Sequence, residues 1–182
     1  MGKKGLTVID MGANVGFFTQ YAKRFAKRVI AIEPSKETFA FLEQAKNENN
    51  WSNVDLVNTA ISAETKEGVA FFHNENNTTM RSLDPRMSHG SVTELVSVLS
   101  LSDLFKKYNI NHVDFMKMDV EGAELDIIKS DGFKKVLPMI NTIELEVHFT
   151  GSYTAELFDL FHSYGLNVQK AMTAVNVYIL KK

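Results

Sequence analysis

Val8-Ile9-Asp10-Met11-Gly12-Ala13-Asn14-Val15-Gly16-Phe17-Phe18 is the stretch that decides the fold. A short apolar run ends in an acid, a glycine-bearing turn follows, and a helical pattern begins. Phe18, Tyr21 and Phe25 recur at i, i+3 and i+7, one face of a helix. This is a strand–turn–helix opening. The next apolar run, Val29-Ile30-Ala31-Ile32, ends in Glu33, 21 positions after Gly12. That is close to the spacing of about 20 expected for an acid on the second strand of a nucleotide-binding α/β domain. The two carboxylate oxygens of Glu33 suit a ribose diol, and Pro34 stiffens the loop that carries them.

Composition sets the outer limits. The chain has 182 residues, enough for one domain with a proper core, and residues 1–182 read as a single domain. Twenty basic and 22 acidic side chains leave a formal charge of -2, with no global attraction to nucleic acid or anionic membrane. There is no cysteine, so disulfides, thiolate metal sites and cysteine nucleophiles are excluded. No apolar run reaches a membrane span of roughly 18 residues, and no signal peptide precedes Leu6. A cytoplasmic location is expected. The first strand begins at once, with nothing before it to cover the sheet, as if the domain were cut from a longer chain that carried an N-terminal cap.

Strand-like and helix-like segments alternate along the chain. After Val29–Ile32, Ser35 can cap a helix whose inner stripe is Phe39, Leu42 and Ala45. Val54–Val57 reads as a third strand and Val69–Phe72 as a short one. Residues 73–90, rich in Asn, Thr and Ser, read as a loop. Strands follow at 92–99, 113–118 and 142–147, with helices at 101–108 and 123–130. Leu157, Leu160, Phe161 and Tyr164 form a last helical stripe, and residues 166–170 and 175–180 a closing hairpin. Repeated strand–helix–strand units imply a mostly parallel sheet with helices on both faces.

The first turn carries Asn14 where a dinucleotide turn has its central glycine, which weakens a pyrophosphate reading. Asp10 beside a diphosphate would be repulsive. It suits a cofactor with cationic groups, such as the ammonium and sulfonium of S-adenosylmethionine. After the third strand, Ala60 and Ile61 can border an adenine ring and Asn58 can bond its edge. Phe71, Phe72 and Met80 are candidate apolar walls for an acceptor.

The second dense cluster is Phe115-Met116-Lys117-Met118-Asp119-Val120-Glu121-Gly122-Ala123-Glu124. Asp119 and Glu121 point the same way if the backbone stays extended. Acids at a helix start, Glu121 and Glu124 among them, also suit its dipole. In Ile143-Glu144-Leu145-Glu146-Val147-His148, alternation places Glu144, Glu146 and His148 on one side. Unpaired burial of such groups is costly, so their place is the open carboxyl end of the sheet.

Residues 8–16, Ile32-Glu33-Pro34, Leu101-Ser102-Asp103-Leu104, residues 116–124 and residues 144–148 together resemble the FkbM-type methyltransferases. The resemblance spans about residues 6–150 and implies an α/β, Rossmann-like class I methyltransferase fold. It implies a seven-stranded sheet in the order 3-2-1-4-5-7-6 with strand seven antiparallel. It implies S-adenosylmethionine as cofactor and O-methylation of a hydroxyl on a sugar or natural-product small molecule. It puts Asp10, Gly12, Asn14 and Gly16 around the methionine part, Glu33 on the ribose and Asp119 beside the transferring methyl. The full expected cofactor set is Asp10, Gly12, Ala13, Asn14, Gly16, Glu33, Pro34, Asn58, Ala60 and Asp119. An in-line displacement needs a base for the hydroxyl proton; Asp119 and His148 are the candidates, the latter as neutral imidazole near pH 7. Asp119 with Glu121 or Glu146 can instead hold a divalent ion, magnesium by its oxygen donors. An NAD-dependent oxidoreductase and a non-catalytic cofactor-binding module of a larger protein are the alternatives.

Overall fold

In the computed structural model, which describes residues 5–74, 77–88, 92–171 and 176–181, side chains are described outside 73–80 and 87–93. Leu6–Met11 (β1) runs into the short helix Phe17–Ala22 (α1) and the parallel strand Ala26–Ile32 (β2). The apolar residues of these strands are consecutive because both faces are covered. Val8, Val29 and Ala31 pack with Leu42 and Trp51 on one side. Ile9, Met11, Ile30 and Ile32 pack with Met116, Met118 and Leu145 on the other.

The chain continues through Lys36–Glu48 (α2), Val54–Val57 (β3), Ala60–Ser62 (β4), Lys66–Asn74 (β5), Asn77–Ser82 (β6), Pro85–Ser88 (α3) and Val92–Ser100 (β7). Then come Leu101–Lys107 (α4), Phe115–Met118 (β8), Glu124–Lys129 (α5), Asp131–Val136 (α6), a 3-10 turn at Leu137–Met139 and Thr142–Glu146 (β9). Ser152–Ser163 (α7), Asn167–Lys170 (β10) and Val177–Lys181 (β11) complete it. As expected, Ser35 caps α2, its hydroxyl accepting the Thr38 N–H.

The main sheet has seven strands in the order β10-β11-β9-β8-β1-β2-β3. Its orientation is mixed: β11 runs antiparallel to both β9 and β10, and the other neighbours are parallel. In chain numbering this order departs from the expected one, because β4 to β7 intervene. They form a second sheet, β4-β7-β5-β6, that the expected fold did not include.

Two further corrections concern local pattern. Residues 73–90 are not simply a loop, since β6 and α3 lie within them. Of the expected aromatic stripe of α1, Phe18 is half-buried and packs against the core beside Phe115, but the rest does not. Tyr21 and Phe25 are 59% and 38% exposed and stack edge-on against each other. The side chains that α1 buries are Thr19 and Ala22, small enough for a short helix to lie close on the sheet. No helix among the described residues is long and apolar enough to cross a membrane.

Candidate active site

The carboxyl ends of β1, β2 and β8 open into a cleft of about 260 Å³. Gly12, Asn14, Glu33, Pro34, Ala60 and Asp119, all expected at the site, line it together. The second sheet closes the cleft from above with Phe71 and Arg81, Leu83 follows just past β6, and α2 adds Glu37, Thr38 and Phe41. Arg81 fastens this roof to α2: its guanidinium donates to the Ser35 hydroxyl, to Thr38 Oγ1 at 3.1 Å and to Glu37 Oε2 at 2.7 Å. Ser82, buried beside it, donates its hydroxyl to the Glu121 carbonyl and braces the acid loop.

The first turn is closed by its own hydrogen bonds. The N–H groups of Gly12 and Ala13 both donate to the Ile32 carbonyl, at 3.0 and 2.9 Å. Asn14 N–H donates to Glu33 Oε2, Val15 N–H to Asn14 Oδ1, and Gly16 N–H to the Ala13 carbonyl. Five successive amides are therefore spent inside the protein, and none is held out toward a ligand anion. Gly12 is required by a close approach. Its φ is +77°, and a Cβ there would lie 2.0 Å from the Asp119 carbonyl oxygen. Gly16 is structural in a different way: a Cβ would meet Leu42 at 2.6 Å and Trp51 at 3.2 Å, so it lets α1 dock rather than facing the cleft.

Glu33 accepts from Asn14 N–H and Ser35 N–H, one on each oxygen, both at 2.9 Å. Burial pushes its carboxyl up to about 7, against the lowering effect of those two amides and of Arg81. Each oxygen keeps a lone pair, so the group can still accept from a diol. Asn58 does not line the cleft. Its amide donates to the backbone carbonyls of Glu33 and Pro34, which fixes the loop holding Glu33.

Asp10 also departs from expectation. It is fully buried beneath the turn, where Thr19 Oγ1 donates to its Oδ2 at 2.5 Å and Oδ1 has no partner. Burial raises its pKa, opposed by Lys117 and the Thr19 bond. Its neighbour across the sheet is Lys117, whose ammonium donates to Asp119 Oδ2 at 2.8 Å.

Behind Asp119 lies a cluster that the spacing suggested only in part. His148 Nδ1 sits 2.7 Å from Glu124 Oε1. Glu124 has no exposed surface. It also accepts from the Gly122 N–H at 3.0 Å and from the Tyr153 hydroxyl at 2.8 Å. The other ring nitrogen, Nε2, faces Glu121 Oε2 at 3.3 Å and Asp119 Oδ1 at 3.5 Å. Burial favours the neutral ring. The Glu124 hydrogen bond and the charges of Glu121, Glu124 and Asp119 outweigh it and push the imidazole up to about 9. Without a bound cation the ring is therefore protonated at neutral pH, not the neutral base expected.

Glu121 adopts a left-handed backbone, φ +51°, uncommon for a residue other than glycine, and lines the cleft. Glu146 does not join this cluster, whose three convergent donors among the described residues are Asp119, Glu121 and His148. Of the suggested acceptor walls, Phe71 lines the cleft; Phe72 is half-buried outside it, and the Met80 side chain lies outside the described residues. Arg81, Phe41 and Tyr153 were missed. Phe41 left a signal, an aromatic on the outer stripe of α2 that stays 57% exposed. Arg81 and Tyr153 left none.

Fold and cleft together define an α/β domain with an acid-lined cleft at the carboxyl ends of its parallel strands. The family model described as "Methyltransferase FkbM domain" matches residues 10–168, and the chain belongs to that family. Methyltransferase 1 of Beauveria bassiana (strain ARSEF 2860) is 28% identical over 141 residues, 67% of this chain and 57% of that protein. Among solved structures, the FkbM methyltransferase of Methylobacillus flagellatus KT superposes with a TM-score of 0.62 at 16% identity, covering 98% of this chain and 44% of that one. SMU.1697c of Streptococcus mutans, solved in complex with SAH, gives a TM-score of 0.52 at 14% identity, covering 99% and 90%. The chain thus spans little more than half the length of the curated relatives it matches, 57% and 59%.

Proposed function

We propose that this chain binds S-adenosylmethionine in the cleft and transfers its methyl group to a hydroxyl of a small molecule, a sugar or natural product. The observation that carries the reading is the closed turn. With the amides of residues 12–16 consumed internally, the cleft offers a diphosphate no row of donors, while Glu33, Asp119 and Glu121 present carboxylates to it. That polarity suits a cationic nucleoside and disfavours a nicotinamide dinucleotide.

The residues present fit such a group. Glu33 would accept from the ribose hydroxyls, and Pro34, Phe41, Ala60 and Ile61 form the apolar slot beside it for a flat base. The bound cofactor supplies an electrophilic methyl on a good leaving group, so the protein's share is alignment and proton handling. Asp119 and Glu121, at the cleft wall, are within reach of a proton released by an acceptor hydroxyl at that end, and the charged His148 ring behind them balances their negative charge. The Arg81 and Ser82 bonds tie the roof to α2 and to the acid loop.

Calorimetry with S-adenosylmethionine, S-adenosylhomocysteine and NAD tests the proposal. Saturable heat is expected from the first two and none from NAD. Saturation by NAD, with neither sulfur nucleoside binding to folded protein, would overturn it.

A further inference from the structure

We infer that Asp119, Glu121 and His148 form a binding site for one divalent transition-metal ion at the acceptor end of the cleft. The reading rests first on distance. A hydrogen-bonded imidazole–carboxylate pair is short, as the 2.7 Å between His148 Nδ1 and Glu124 shows in this very cluster. Nε2 is held off, at 3.3 Å from Glu121 Oε2 and 3.5 Å from Asp119 Oδ1. An ion about 2.1 Å from each of its ligands keeps adjacent donors about 3.0–3.4 Å apart, whether octahedral or tetrahedral. The Glu121 separation falls within that spacing and the Asp119 separation lies just beyond it, and one ligand atom from each of the three residues lies within 4.8 Å of the others.

The surroundings supply the second argument. A metal-bound histidine characteristically donates its other nitrogen to a carboxylate, which sets the tautomer and aims the ring. Here that carboxylate is Glu124, completely buried and itself held by the Gly122 N–H and the Tyr153 hydroxyl. The brace leaves Nε2 free of any role except facing the two acids. Asp119 and Glu121 also line the cleft, so an ion between them keeps open positions toward it. One imidazole and two carboxylates form a borderline donor set, better suited to manganese or zinc than to an all-oxygen magnesium site. Glu146, the other acid weighed for an ion from its place on the strand, is not part of the set.

The ion's task rests on the methyl-transfer proposal. An acceptor hydroxyl in an open coordination position becomes more acidic, as metal-bound water does, and its proton passes to cleft water. Binding of the ion does not depend on that proposal.

Mn²⁺, followed by electron paramagnetic resonance and calorimetry on the purified chain, is the probe, with Zn²⁺ as a second titrant. One ion per chain is expected. Asp119→Asn and Glu121→Gln, both near-isosteric and partly exposed, should each weaken it at least ten-fold with an unchanged circular dichroism spectrum. Glu124→Gln should weaken it within the 10- to 100-fold range seen when such bracing groups are changed. Failure of both metals to saturate the folded chain by millimolar concentration would overturn the site. So would binding that Asp119→Asn and Glu121→Gln leave intact. S-adenosylhomocysteine titrated without metal separates the two proposals. If it binds and Mn²⁺ does not, the ion site falls and the methyl-transfer reading stands; the reverse result removes the reading and keeps the site.

Discussion

The two loops that meet at the mouth of the cleft solve opposite electrostatic problems. In the turn from Gly12 to Gly16, every amide has a partner inside the protein, so the turn is neutral toward the cleft and rigid. In the loop from Asp119 to Glu124, three carboxylates crowd one imidazole, and two of them line the open space. A glycine turn at the end of a first strand invites the expectation of an anion site. Hydrogen-bond accounting removes it, because a donor already used cannot also cradle a phosphate. The negative character of the site comes from the other loop. The two are locked together where the Asp119 carbonyl rests on Gly12 and the Asp119 N–H donates to the Met11 carbonyl at 3.2 Å.

Breaking that lock gives the largest expected effect. Gly12→Ala would drive a Cβ to 2.0 Å from the Asp119 carbonyl at a φ of +77°, so the two loops must part. Binding of S-adenosylhomocysteine should fall at least 100-fold, about 2.7 kcal/mol by affinity arithmetic, with a lowered melting temperature. Calorimetry and thermal denaturation check both.

A smaller effect separates the neutral turn from its one charged partner. The folded Glu33 carboxyl titrates near 7, above its ordinary value of 4.5, so the folded protein holds a proton that the unfolded chain has lost. The stability this raised pKa contributes is fully present below about 4.5 and is lost as pH rises toward 7. Nucleoside affinity moves the other way, since the ionised carboxylate is the better acceptor for two hydroxyls. Affinity should rise as pH is raised through 7, by up to about ten-fold per unit below it, and Glu33→Gln should flatten the profile. A wild-type profile already flat between pH 6 and 8 would remove Glu33 from the ribose role.

The smallest effect tests the acid loop from behind. Tyr153→Phe deletes a donor to buried Glu124 and the acceptor of the Leu125 N–H, leaving both short of a partner. A loss of about 1–3 kcal/mol in unfolding free energy is expected, measured by urea denaturation, with nucleoside affinity nearly unchanged because Tyr153 does not touch the cleft.

How far the sequence could be read depended on how local each feature was. The opening turn, the capping serine and the acid 21 positions after Gly12 follow from neighbouring residues, and β1, β2 and α2 formed where the pattern put them. The helical spacing of Tyr21 and Phe25 misled, because α1 ends at Ala22 and must bury small side chains to sit close on the sheet. The polar stretch before β7 concealed β6, which carries Arg81 and Ser82 into the roof. Its strand character comes from pairing with β5, and nothing within the segment announces it.

The sequence alone yielded an α/β domain with Gly12 and Glu33 at its cleft, since periodicity, turn chemistry and spacing are properties of a few adjacent residues; the motif resemblance added the family and Asp119. Tertiary structure decided the rest. It buried Asp10 under the turn against Thr19, turned Gly16 toward Trp51, and set His148 against acids 24 to 29 positions earlier in the chain. The direction and protonation of a side chain depend on what distant elements press against it, and only the folded packing of β8, β9 and α5 brings those groups within reach of one another.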